Sequence, residues 1–392
     1  TAMFDQERQF IEARIGEYFT SIGLPAPEAL QWNPIPFNGE WGISTSFFQL
    51  AAQEGRLRKA RGEPSVNVPQ RAQELAVGAA ALIGTPVGFT HVEAVKGYLN
   101  LYFATGEYAR RVVQEVLEKG ADFGRGAPQA ERVMVEYANI NTHHSFHIGH
   151  YRNSILGEVV ARLAEFAGFA TIRASYPGDI GLSVITVLWI YRKFYLGKEP
   201  EGVHERSQWL MRLYVEATAL LEPKDGETPA QTALRAAYEA ERRDIYRRWD
   251  AGDPEIRDIW LRTRQWSLDE LADILRLMDI KIDVWFYESD VDEPSKGIAE
   301  DLIRMGIADD ERPNGGAVIV KIDEKLGLTK EKYRTNVILR SDGTSLYLTK
   351  DLALAKVKFD TYHVDRSVYV VDTRQSLHLQ QAFKILELMG YK

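Results

Sequence analysis

The sequence predicts an α/β protein: a doubly wound parallel sheet carrying a helical insertion and preceded by a small α+β domain. Three observations carry this expectation. From Arg132 onward, strand-like and helix-like patterns alternate with crossover-length connections, as parallel strands covered by helices require. The stretch from about residue 197 to 279 is helical in pattern and highly charged, punctuated by Pro200, Gly202, Pro223, Gly226 and Pro229. Residues 1–118 combine helical periodicity with a hairpin pattern, and a glycine-rich connector, 119–130, separates them from the larger domain.

In the amino-terminal domain, Phe10, Ile11, Ile15 and Phe19 recur at helical spacing, and Pro25, Pro27, Pro34 and Pro36 then break the chain into extended connections. A helix is expected over Arg71–Ile83. Val92–Val95 and Tyr98–Phe103 read as strands of a hairpin turning at Lys96-Gly97, and a further helix spans about Gly106–Lys119.

The larger domain, 131–392, begins with a strand over Arg132–Ala138, with Val133, Val135 and Tyr137 on one face and Met134, Glu136 and Ala138 on the other. A helix over Ser154–Ala167 comes next, with Ile155, Val159, Leu163 and Phe166 as its expected core stripe and Gly168 at its carboxyl cap. Ala170–Tyr176 is a strand and Leu182–Leu196 a helix. Beyond the insertion, Ile280–Trp285 reads as a strand. Val337–Arg340 and Ser345–Leu348 flank Asp342-Gly343 as a hairpin. A helix from Asp351 to about Lys358, a strand over Val368–Val371 and a helix over Leu377–Met389 complete the pattern.

Apolar residues make up 45% of the 392 positions and charged residues 27%, an ordinary globular balance. There is no cysteine, which excludes disulfides and thiolate metal sites and suits a reducing cytoplasm. The first residues lack a signal-peptide core, and no apolar run reaches membrane-spanning length, so no membrane partner is expected. A net charge of −8 argues against coating nucleic acid by bulk charge, though not against a local surface for one folded RNA. Arg242, Arg243, Arg247 and Arg248 could supply such a surface, or could pair with Glu239, Glu241 and Asp244 as a solvated helix face.

The strongest functional signal is VEYANINTHHSFHIGH, in which four of the chain's eight histidines, His143, His144, His147 and His150, fall between a strand and a helix. In a doubly wound sheet, ligands bind beyond the carboxyl ends of the strands, where a helix start offers free amides and positive dipole. His147 and His150 lie one helical turn apart around Gly149, an arrangement suited to phosphate. Imidazoles also bind transition metals, and a metal-dependent hydrolase is the competing reading, although no carboxylate stands at ligand spacing within the cluster.

The segment from Val135 to Phe169, together with YPGDIG (176–181), DGTSLYLTKD (342–351) and YVVDTRQSLH (369–378), resembles the arginyl-tRNA synthetases, class I enzymes with a HIGH motif opening a Rossmann-type domain. Residues 1–118 are similar to that family's amino-terminal domain, which contacts the elbow of tRNA. The resemblance implies that His147, Gly149 and His150 handle the phosphates of ATP bound with Mg2+, with Asp179 and His378 as further nucleotide candidates. Arginine recognition is implied for Glu136, Asn139, Asn141, Tyr347, Asp351 and Gln375, with no tightly bound metal. The chemistry agrees: a guanidinium is a planar fork of five donors, and opposed carboxylates such as Glu136 and Asp351 would neutralise and orient it. A buried Glu136 would need a partner, which arginine would provide. Asp351 could instead cap its helix, Tyr347 pack on a strand, and Asp179 shape a turn.

The implied partners are tRNA(Arg), L-arginine and ATP, and the implied state is a cytoplasmic monomer. The family's KMSKS-like segment and its anticodon-binding domain would follow Lys392. The expectation is therefore either an incomplete synthetase with little activity of its own, or a paralogue that binds tRNA, arginine or nucleotide without aminoacylation.

Overall fold

A computed structural model describes residues 5–36 and 39–391; residues 1–4, at the start of the expected amino-terminal domain, Phe37, Asn38 and the final Lys392 lie outside them. The chain divides into two compact units, 1–127 and 128–392.

In the first unit, α1 (Asp5–Ser21), α2 (Phe48–Ala60) and α3 (Val68–Ile83) accompany an antiparallel sheet of β1 (Trp32–Pro34), β2 (Gly42–Ser46), β3 (Phe89–Val95) and β4 (Tyr98–Phe103), ordered β1-β2-β4-β3. The β3–β4 hairpin turns through Lys96 and Gly97, both at positive φ, as a tight two-residue turn requires. Ile11, Ile15 and Phe19 of α1 are fully buried against Leu75 and Ala79 of α3 and Leu99 of β4, whereas Phe10 is exposed. The unit closes with α4 (Thr105–Lys119).

The second unit is built on a four-stranded parallel sheet ordered β11-β5-β6-β7, from β5 (Arg132–Glu136), β6 (Ala170–Ser175), β7 (Val284–Trp285) and β11 (Arg366–Tyr369). Between β5 and β6 runs α5 (Ile148–Phe166). The helical insertion follows α6 (Leu182–Ile190) and a π turn, and comprises α7 (Val203–Leu221), α8 (Pro229–Asp250) and α9 (Pro254–Leu277). After β7 come α10 (Glu288–Arg304), β8 (Asp309–Asp310), β9 (Val318–Lys321), α11 (Ile322–Lys325) and β10 (Thr335–Leu339), in which the strands form a separate antiparallel sheet ordered β10-β9-β8. Finally, α12 (Tyr347–Asp360) leads to β11, and α13 (Ser376–Leu388) comes after it. No helix among the described residues is long and apolar enough to cross a membrane.

Four expectations need correction. The core stripe expected on α5 is wrong: Ile155, Val159, Leu163 and Phe166 are all exposed, and the buried residues are Ser154, Gly157, Glu158 and Ala161. Small side chains face inward because the fully buried ring of Tyr137 occupies the space over Gly157, where a Cβ would overlap it. The strand expected at 280–285 shrinks to β7, because the Asp283 carboxylate accepts the Arg173 amide in place of a strand carbonyl. The hairpin around Asp342-Gly343 is reduced to a single bridge, Leu339 to Ser345, and β10 pairs with β9 instead. Ser345–Leu348 is therefore not a strand, and α12 starts at Tyr347 rather than Asp351, because the Thr349 and Lys350 amides already bond to the Leu346 carbonyl.

Charge on the insertion is largely internal. Arg242 pairs with Glu239 at 2.7 Å, Arg247 with Asp244, and Arg248 with Asp253 at 2.8 Å, while Glu241 pairs with Lys193 at 2.7 Å. The solvated, paired helix face describes these arginines.

Candidate active site

β5 is the strand from which the chain turns both ways: through α5 to β6 on one side, with β11 on the other. The carboxyl ends of β5 and β11 therefore form a topological switch point, the expected ligand crevice of such sheets. Asn153 of α5 spans it, accepting the Ala138 amide at 2.7 Å and donating to the Val370 carbonyl at 2.5 Å.

The loop after β5 is held residue by residue. Ala138 has φ +56°, unfavourable for a side chain. It is kept there by the Asn153 contact and by its carbonyl, which accepts from Ser175 Oγ at 2.9 Å and the Ile140 amide at 2.8 Å. Asn139 donates to Glu136 Oε1 at 2.9 Å and accepts from the Tyr176 amide at 2.8 Å, fastening β5 to β6. Asn141 is exposed, and its Oδ1 accepts from the Gly178 amide at 3.3 Å.

The four histidines separate. His143 is buried, with φ +64°; its Nδ1 lies 2.9 Å from Thr142 Oγ1 and its Nε2 2.8 Å from Thr263 Oγ1. The Thr263 hydroxyl donates to the Ile259 carbonyl, so Nε2 carries the proton and the ring is neutral. Burial, helped by neighbouring His144, pushes its pKa down to about 3. His144 packs edge-on against Tyr214. Only His147 and His150 meet, their rings stacked 3.7 Å apart. His147 caps α5, its Nδ1 accepting the Gly149 amide at 3.0 Å and the His150 amide at 3.4 Å, which leaves Nε2 as its outward donor. Burial, then His147 and His144, pushes His150 down to about 4. Two neutral imidazoles and exposed Gly149 thus sit at the positive end of a 19-residue helix, a combination able to receive phosphate oxygens. Among the described residues no three His, Cys, Asp or Glu side chains gather as a metal site would need.

Across the crevice, α12 carries Tyr347, Asp351 and Lys358 along one face. Tyr347 is 70% exposed at the first turn. Asp351 is in the second turn and caps nothing; its Oδ2 lies 2.5 Å from His378 Nε2 on α13. Burial holds the Asp351 carboxyl above the usual range against the opposing pull of His378. Gln375 is exposed in the 3-10 turn that opens onto α13.

Three sequence assignments change. Glu136 is buried as expected, but its partner is already in the protein: Oε2 is ion-paired with Lys358, which is fully buried. Burial alone would lower the Lys358 pKa, and the Glu136 carboxylate more than offsets this, raising it. Asp179 is not presented to a nucleotide. It is fully buried, bound to Arg264 Nη1 at 2.7 Å and to the Ser289 amide and hydroxyl at 2.9 and 2.7 Å, where it locks the loop after β6 to α9 and α10. His378 is a partner of Asp351.

Sequence reasoning passed over Asn153, Tyr176 and Lys358. Asn153 and Tyr176 stand inside the motif segments, where their position is itself a signal, whereas Lys358 is one of several lysines in α12 with no local signal. The Tyr176 hydroxyl is held well above the usual range by burial and by the surrounding Asp351, Glu288, Glu136 and Asp179 carboxylates.

The family model for tRNA synthetases class I (R), catalytic domain, matches residues 112–392. The chain belongs to that family. Among relatives of this synthetase chain, the arginine–tRNA ligase of Bdellovibrio bacteriovorus is 34% identical over 297 residues, covering 75% of the chain and 48% of the relative. The cytoplasmic arginine–tRNA ligase of Saccharomyces cerevisiae is 30% identical over 306 residues, covering 77% and 48%. The synthetase chain thus spans about half the length of these relatives. Its fold matches Thermus thermophilus arginyl-tRNA synthetase with a TM-score of 0.61 at 20% identity, covering 98% of this chain and 63% of that one. The Plasmodium falciparum arginyl-tRNA synthetase matches with a TM-score of 0.64 at 15% identity, covering 100% and 63%.

Proposed function

We propose that the protein is an arginine–tRNA ligase, in which this chain binds L-arginine and ATP and forms arginyl-adenylate. The observation that carries the reading is the pairing, across one switch point, of a histidine-capped helix start with a carboxylate-bearing helix. In this reading the arginine carboxylate attacks the α-phosphate of Mg-ATP in line, the bond to the bridging oxygen of pyrophosphate breaks, and arginyl-adenylate and pyrophosphate result. His147 Nε2 and His150 donate to phosphate oxygens as charge grows on them. Asp351 binds the guanidinium, Tyr347 flanks it, and Asn141 and Gln375 orient the α-amino and carboxylate groups. A hydroxyl of the terminal adenosine of tRNA(Arg) then attacks the acyl carbon and releases AMP. Positioning and charge stabilisation supply the catalysis, without a protein nucleophile. A cytoplasmic monomer is the proposed setting.

The test is arginine-dependent exchange of pyrophosphate into ATP by the full-length protein. His150→Ala should reduce it by on the order of a hundredfold to a thousandfold, as loss of one aimed donor does, with unfolding unchanged. Near-normal exchange in that variant overturns the assignment.

A further inference from the structure

Two carboxylates, Glu136 and Asp351, stand close enough for each to raise or lower the other's ionisation, yet their partners differ in kind. Asp351 meets an imidazole, that of His378, and remains partly exposed. Glu136 meets an ammonium from Lys358, whose Nζ also lies 4.1 Å from the centre of the Tyr369 ring. Tyr369 is the register partner of Glu136 on β11, so Lys358 is enclosed between the two strands that form the switch point. Neither Lys358, at 0% exposure, nor Glu136, at 3%, has surface to offer a ligand. The second Glu136 oxygen is taken by Asn139, which carries the connection on to β6.

The same matching recurs around Tyr176. Buried Glu288 has Lys350 at 2.8 Å, and buried Asp179 has Arg264 at 2.7 Å. Of the four carboxylates bearing on that tyrosine, Asp351 alone faces an imidazole rather than a lysine or arginine.

Resting on the arginine-binding reading above, we propose that Lys358 is a positioning and specificity-determining residue: it neutralises Glu136, leaving Asp351 as the carboxylate whose charge selects a guanidinium. Glu136 then acts through Asn139 on the shape of the loop, while discrimination between arginine and its uncharged isostere rests on Asp351. An unmatched pair of carboxylates would repel each other in the empty crevice. The buried lysine removes that repulsion before substrate arrives.

Calorimetric titration with L-arginine and L-citrulline tests this, using the wild type, Asp351→Asn, Glu136→Gln and the double variant Glu136→Gln/Lys358→Met, with thermal unfolding recorded for each. The wild type should prefer arginine by about tenfold or more, the worth of one charge-assisted contact. Asp351→Asn should bind both ligands within about threefold of each other. Glu136→Gln, which strands a buried ammonium beside the site, should lose preference for the cation, and adding Lys358→Met should restore it. Restoration by removing a second side chain is an outcome that a direct Glu136–guanidinium contact cannot produce. A preference of about tenfold surviving in Asp351→Asn, or a folded double variant without the wild-type preference, overturns the proposal. Where a Glu136 variant does not fold, the Asp351→Asn result alone decides. A wild type with no preference for arginine counts against the arginine reading itself.

Discussion

Gly157→Ala tests how the histidine-bearing helix is seated. A methyl at this position falls inside 3.0 Å of Cβ, Cγ and Cδ2 of Tyr137, a limit that real Cβ contacts essentially never cross. Rotation of Tyr137 cannot relieve the overlap, because its own Cβ is struck and its ring is completely buried. The helix must therefore retreat from β5, and the 2.6 Å hydrogen bond from the Tyr137 hydroxyl to Glu158 goes with it. Overpacking at its upper end costs about 3 kcal/mol. A lost hydrogen bond to a carboxylate adds about 2 kcal/mol, and the better helix propensity of alanine returns about 1 kcal/mol. The net is a destabilisation of about 4 kcal/mol, or a fall of roughly 10 °C in Tm for a unit of this size. Thermal unfolding followed by circular dichroism measures it. A variant as stable as wild type, or more stable by the propensity gain alone, refutes the claim that Tyr137 fills this space. Because α5 begins at the cap made by His147, pyrophosphate exchange should fall in the same variant even at temperatures where it remains folded.

Two further outcomes concern buried groups. His143 is held neutral with a pKa near 3, against about 6.5 in the unfolded chain, so the unfolded state binds more protons in the interval between these values. Stability is full above about pH 6.5 and falls as pH drops, by about 2 kcal/mol at pH 5, and His143→Gln should flatten this part of the profile. An unaltered dependence of Tm on pH in that variant contradicts the burial argument. Asp179→Asn leaves the largely buried Arg264 guanidinium without its carboxylate and should cost about 3 kcal/mol in unfolding free energy while sparing the KM for ATP. A raised KM at unchanged stability would instead return Asp179 to the nucleotide site.

Period and punctuation are enough to read the parallel sheet, because alternating strands and crossover helices are local patterns that survive any packing detail. The helix start at His147-Ile148-Gly149-His150 is legible for the same reason: a cap, a glycine and a helix lie within a few residues of one another. Local pattern misleads where two distant segments compete for one space. Apolar Ile155, Val159 and Leu163 look like a core stripe, but Tyr137 fills the inward side of α5 and admits only small residues there. Ser345–Leu348 looks like a strand, but its neighbour β10 is claimed by β9.

The sequence by itself determined the α/β class, the position of the phosphate-facing loop and the candidates Asn141, His147, His150, Tyr347, Asp351 and Gln375. Only the tertiary structure decided how charge is shared among the acids. Glu136 and Lys358 are separated by 222 positions, and Asp179 and Arg264 by 85, so no local pattern joins them. Burial made the difference: out of water each carboxylate requires a counter-charge, and which cation meets which acid is set by where α9 and α12 cross the ends of the strands.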